Sequence, residues 1–139
     1  MTYKIIGKYI KDLKFNIPNA KVFFLLSKDI SNYKINIDIK SIQIKQNIIE
    51  VLTSLSLTTV KENFEKIDTQ ITYSTVVELD NENTQKEEME KIILINVPTE
   101  IYAELRQIFV FLFKNCGFKD VKISESVDFE KLYKMKKIQ

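Results

Sequence analysis

Histidine is absent from this chain of 139 residues, cysteine occurs once and glycine twice. Imidazole is the side chain that titrates near neutrality, and most general acid–base pairs, nucleophilic triads and transition-metal sites draw on it. None of that chemistry is available. A lone Cys116 cannot close a disulfide within the chain, and it cannot by itself hold zinc or an iron–sulfur cluster. Gly7 and Gly117 do not make a phosphate-cradling loop or a dinucleotide fingerprint. Carboxylates, lysines, tyrosines and the thiol remain, and no pair of them stands in a recognisable catalytic spacing. The expectation is a binding protein without cofactor or metal, not an enzyme.

Apolar residues make up 45% of the chain and charged residues 29%, which is ordinary globular usage. The length fits a single domain, 1–139, that buries roughly two-thirds of its unfolded surface. The longest apolar run, Ile108 to Phe113, is far shorter than the ~18 residues of a membrane span, and the N-terminus lacks a signal-peptide core. A cytoplasmic protein without membrane insertion is expected. The net charge of +2, from 21 basic and 19 acidic side chains, gives no general field for nucleic acid. Asp80 to Lys91 is acidic and reads as a solvated connection; Lys131, Lys134, Lys136 and Lys137 read as a basic tail.

The elements follow from period. Tyr9, Leu13, Phe15 and Ile17 share odd parity before Pro18-Asn19, which is turn chemistry, so 8–17 reads as a half-buried strand. From Tyr33 the alternation places Tyr33, Ile35, Ile37 and Ile39 on one face and Lys34, Asn36 and Asp38 on the other. The switch to Ile42 and Ile44 predicts a bulge or bend near Lys40-Ser41. Ile49, Val51, Leu55 and Leu57 mark a third strand, and Ile67, Ile71, Tyr73, Val77 and Leu79 a fourth. Short polar turns between them predict an antiparallel sheet.

The period then changes. Ile101, Leu105, Ile108 and Leu112 recur at helical spacing behind Pro98, which suits a first turn, and Gly117 is placed to end the helix in a left-handed cap. Asp128 to Ile138 reads as a second helix, with Asp128 or Ser126 as its cap. The fold class is therefore α+β: a four-stranded antiparallel sheet, then a long helix and a short C-terminal helix. The long helix is apolar all round over 108–113, so the sheet cannot cover it alone. Either the second helix and a loop over 18–32 carrying Phe23-Phe24-Leu25-Leu26 cover it, or Phe109, Phe111 and Phe113 face another copy. Self-association is the favoured outcome.

Tyr9-Ile-Lys-Asp-Leu-Lys-Phe15, followed by Pro18-Asn19-Ala20, resembles the opening strand of the SecB-type protein-export chaperones. The ending Val127-Asp128-Phe129-x-x-Leu132-Tyr133 is similar to that family's last helix, and the layout agrees over roughly residues 8–135. The resemblance implies a homotetramer, a dimer of dimers with the long helices between the sheets, that binds unfolded precursor chains in apolar grooves. Its client contacts would fall on Tyr33, Ile35 and Ile37 of the second strand and on Phe129, Leu132 and Tyr133 of the last helix. Phe23 and Phe24 are further candidates, as groove lining or as a core plug.

In that family the export ATPase SecA docks on three acidic positions of the outer sheet face. Here the first is Asp12, the second Asn16 and the third Gln70, so two of three carboxylates are missing. The leading expectation is an ATP-independent holdase for unfolded preproteins, with SecA as a weakened partner. The alternatives are a relative dedicated to an antitoxin of a toxin–antitoxin system, and a small-molecule or adaptor binding module.

Overall fold

The computed structural model describes residues 3–28, 33–59, 68–81, 84–118 and 123–138. In chain order the elements are β1 (Tyr3–Asn16), α1 (Ala20–Lys28), β2 (Tyr33–Lys45), β3 (Ile48–Thr59), β4 (Asp68–Leu79), α2 (Lys86–Lys91), a π-helical turn (Ile92–Asn96), α3 (Val97–Asn115) and α4 (Phe129–Ile138). The four strands form one antiparallel sheet in the order β1-β4-β3-β2, which leaves β1 and β2 as edges. Ile67, expected to open the fourth strand, lies outside the described residues.

Alternation is strict in β3 and β4. Ile49, Val51, Leu55, Leu57, Ile71, Tyr73, Val77 and Leu79 are buried against the helices, with Thr53, Thr69 and Thr75 in the same rows. The expected break in β2 at Lys40-Ser41 does not occur: its pairing with β3 runs unbroken from Tyr33 to Gln43, and the irregularity falls between Gln43 and Lys45, beside the hairpin turn. Ile42, opposite Glu50, therefore stays on the outer face, 45% exposed, and Ile44, within the irregularity itself, is 52% exposed. In β1 the register shifts twice, between Ile5 and Gly7 and between Ile10 and Asp12. The second shift separates Tyr9 from Leu13 and Phe15: Tyr9 pairs opposite Ser74 on the outer face, whereas Phe15 packs on the core.

Among the described residues the outer face has one buried carboxylate. Glu50 accepts hydrogen bonds from the Ser74 hydroxyl (2.6 Å) and the Tyr9 hydroxyl, and Lys11 stands 3.6 Å away. The Ser74 and Tyr9 hydroxyls hold its carboxyl below the ordinary value of 4.5. A depressed native pKa stabilises the fold above the unfolded value, and the contribution is lost as pH falls through the native pKa. Denaturant midpoints of the wild type are thus expected to drop below about pH 4.5. Glu50→Gln is expected to lower the midpoint at pH 7 and to flatten the acid limb; an unchanged acid limb would show that other carboxylates carry it.

Three corrections concern the helices. The expected 18–32 loop contains α1: Asn19, read as turn chemistry, caps it by accepting the Val22 amide at 2.9 Å. The second half of the acidic connection is also helical, as α2. On α3, Phe109 and Phe113 are fully buried inside the protomer, with Val97, Ile101, Tyr102 and Leu105 on the same stripe. They leave no surface for a second copy. Of the three phenylalanines assigned to an interface only Phe111 faces outward, 63% exposed.

The end of α3 follows its sequence signal. Gly117 has φ of 98°, its amide reaches the Lys114 carbonyl (3.3 Å), and the Phe118 amide reaches the Phe113 carbonyl (3.1 Å). This double closure needs a left-handed residue at Gly117, and it turns Phe118 back onto Phe113 with ring centroids 5.5 Å apart. A polar rail ties α3 to the sheet: Glu104 accepts from Lys8 (2.7 Å) and Tyr73 (2.9 Å), and Glu100 from Tyr3 (2.9 Å). Burial and then the Glu100 carboxylate push the Tyr3 phenol up to about 12, so it remains a donor.

Candidate binding groove

Pro98 has no amide hydrogen and cannot donate to the Leu94 carbonyl four residues back. The helix opens at that point into the π-helical turn, where the Val97 amide reaches the Ile92 carbonyl five residues back. The Thr99 hydroxyl takes the Ile95 carbonyl. The turn carries Leu94 to the edge strand β2. Inserted π turns of this kind recur at functional sites.

The short helix supplies the facing wall. Asp128 caps α4 by accepting the Lys131 amide at 3.0 Å, and Phe129, Leu132 and Tyr133 then share one face at i, i+3 and i+4. Phe129 is buried and meets the Tyr102 ring edge-on, centroids 6.0 Å apart. Tyr133 is buried, and its hydroxyl donates to Glu90 at 3.2 Å. Leu132 is 47% exposed and forms the open lip.

Between these walls and β2 lies an open groove of about 230 Å³, lined by Ile37, Ile39, Leu94, Phe129, Leu132 and Tyr133. Asp38 also lines it. Because β2 is an edge strand among the described residues, the groove offers apolar side chains beside backbone groups that no other described strand occupies. This arrangement suits a short extended apolar segment.

The structure thus brings four of the eight expected client residues together: Ile37, Phe129, Leu132 and Tyr133. Ile35 is half-buried against the core and does not line the groove. Tyr33 begins β2, and its side chain lies outside the described residues. Phe23 is a core plug: its ring lies 4.9 Å from that of Phe118, and a Cβ at Gly117 would come within 3.2 Å of it. Phe24 points outward, 62% exposed, and does not line the groove either. Asp12 is exposed on the outer face of β1, with Asn16 further along the strand; Gln70 stands opposite Lys14. Sequence reasoning passed over Leu94 and Asp38. Pro98 was a signal for the first; nothing local marks the second.

Among the described residues no three His, Cys, Asp or Glu side chains gather as a metal site, and no helix is long and apolar enough to cross a membrane.

The family model for the preprotein translocase subunit SecB matches residues 1–139. A protein-export SecB homologue of Pelagibacter ubique is 41% identical over 134 residues, covering 96% of each chain. The protein-export protein SecB of Anaplasma phagocytophilum is 27% identical over 142 aligned positions, covering 94% of this chain and 89% of its own. In three dimensions the chain is similar to a SecB-like chaperone of Mycobacterium tuberculosis, solved in complex with a ChAD peptide from the HigA1 antitoxin. The TM-score is 0.54 at 8% identity, over 88% of this chain and 91% of that one, a likeness of fold alone. With one family model running the whole length and one relative sharing two-fifths of its residues, the chain belongs to the SecB family of chaperones.

Proposed function

We propose that this protein is an ATP-independent holdase that keeps unfolded preproteins soluble in the cytoplasm before export. The observation that carries the reading is the open apolar groove between edge strand β2, the π-helical turn and α4. A surface that binds only unfolded chain draws it away from aggregation by mass action, with no bond made or broken. Apolar side chains of the client fill the groove, and its backbone lies along β2.

The names of the relatives in Pelagibacter and Anaplasma support export as the setting. The antitoxin peptide in the complex of the Mycobacterium structure supports a peptide as the occupant, and it keeps a dedicated antitoxin client as the second reading. Docking of the ATPase SecA on the outer sheet face is expected to be weak. Asp12 stands there without a carboxylate at position 16 or 70, and an isolated exposed ion pair contributes at most about 1 kcal/mol.

Assembly as a homotetramer through α3 belongs to the same reading, with Phe111 as the outward anchor. The test combines solution mass with suppression of aggregation of an unrelated unfolded protein in the absence of nucleotide. A tetramer that suppresses aggregation is expected, and Phe111→Asp is expected to shift the mass to dimer or monomer because an unpaired charge would be buried in the interface. A wild-type monomer at micromolar concentration would contradict the assembly. Protection confined to one client would favour the antitoxin reading.

A further inference from the structure

We propose that Arg106 and Tyr102 form a clamp that sets the position of α4, and with it the width of the groove; the proposal rests on the groove being the client site. Two walls of the groove are fixed by continuity. Strand β2 is paired with β3 along its length, and the π-helical turn runs directly into α3. The third wall, α4, is joined to α3 through a connection without regular structure over 123–128.

That connection is tied to α3 from one helix face, by residues at i and i+4. The Arg106 Nε and Nη2 both donate to the Ile123 carbonyl, at 3.2 and 3.1 Å. The Tyr102 hydroxyl donates to the Ser124 carbonyl at 2.8 Å. Arg106 is the single arginine in a chain whose other basic residues are all lysines. A planar fork fixes a carbonyl in direction as well as distance, which the flexible stem of lysine does less well. Burial raises the Tyr102 phenol's pKa, with the Arg106 guanidinium pulling it the other way, so the hydroxyl remains a donor.

Beyond the clamp the chain has little freedom. Ile123 is buried in the core, Val127 packs on it, Asp128 caps α4, and the Phe129 ring returns to the face of α3 against Tyr102. Tyr102 thus holds both ends of the connection, the Ser124 carbonyl through its hydroxyl and Phe129 through its ring. Neither Arg106 nor Tyr102 lines the groove. They are positioning residues that act through α4, and they set where Leu132 and Tyr133 stand relative to Ile37.

The test uses Arg106→Gln and Tyr102→Phe, the second keeping the ring contact with Phe129, with Arg106→Lys as the conservative control. Two quantities are read: amide hydrogen exchange in α4 compared with β3 and β4 in the free chain, and the Kd for fluorescently labelled, reduced and carboxymethylated α-lactalbumin. In Arg106→Gln and Tyr102→Phe we expect α4 amides to exchange about tenfold faster with β3 and β4 unchanged, and the client Kd to rise about tenfold. Arg106→Lys should fall between them and the wild type. Unchanged α4 exchange, exchange that rises equally in β3 and β4, or faster α4 exchange with an unaltered Kd would each overturn the clamp. Leu132→Glu separates the two levels. If it weakens binding while the clamp variants do not, the clamp alone fails; if it too leaves the Kd unchanged, the groove reading fails and the clamp falls with it.

Discussion

Phe113→Ala is expected to cost about 3–5 kcal/mol of folding stability, a large part of the roughly 5–15 kcal/mol that holds a domain of this size. Phe113 is fully buried, and three rings surround it: Phe15 from β1 edge-on at 5.0 Å, Phe109 at 5.0 Å and Phe118 at 5.5 Å. Phe118 in turn touches Phe23 of α1 at 4.9 Å. Truncation therefore opens a cavity where the first strand, α1, the end of α3 and its capping turn meet, and these elements cannot all close on it. Phe111→Ala, two residues away and largely exposed, should change protomer stability by less than about 0.5 kcal/mol. Urea unfolding of both variants, at chain concentrations low enough for the protein to be monomeric so that the proposed Phe111 contact between copies does not contribute, checks the contrast; equal losses would mean that the burial pattern of α3 is wrong.

That contrast marks where the sequence was readable. The run Ile108 to Phe113 is apolar on every side, so periodicity alone shows that a second cover is needed but not which phenylalanine meets which cover. The structure resolves it by stripe: 105, 109 and 113 lie under the sheet, and 111 faces away. Strands β3 and β4 were legible because each buries one face completely. Strand β1 was not, because its two register shifts exchange faces within a single strand, and the pattern of Tyr9 and Leu13 carries no mark of the extra residue between them. Helix α1 was hidden behind Pro18-Asn19, where the same asparagine chemistry serves a turn or a helix cap.

The groove was half legible. Phe129, Leu132 and Tyr133 stand at i, i+3 and i+4 of α4, and Ile37 lies in the alternation of β2, so both walls are local patterns. Their meeting is a tertiary fact, and so is the arrival of Leu94, which depends on the helix opening before Pro98. Ile35 shares the β2 row with Ile37 yet packs on the core without lining the groove, a difference that alternation cannot register.

Leu132→Glu carries the second large effect. Leu132 is the exposed lip of the groove and makes no hydrogen bond that a substitution would break, whereas Phe129 and Tyr133 are buried enough to unfold α4 if made polar. A carboxylate at position 132 leaves the protomer folded, with its melting temperature within about 2 °C of wild type. It does place an unpaired charge where an apolar client side chain would sit. That penalty of roughly 1.5–3 kcal/mol converts to about a tenfold to 150-fold loss of client affinity.

The central claim, that the groove beside β2 holds unfolded chain, is tested most directly by titrating labelled, reduced and carboxymethylated α-lactalbumin into the wild type and Leu132→Glu without nucleotide. Saturable binding by the wild type and a Kd at least about tenfold weaker for the variant are expected, at unchanged fold and assembly. No binding by the wild type, or equal affinity in both, would contradict it.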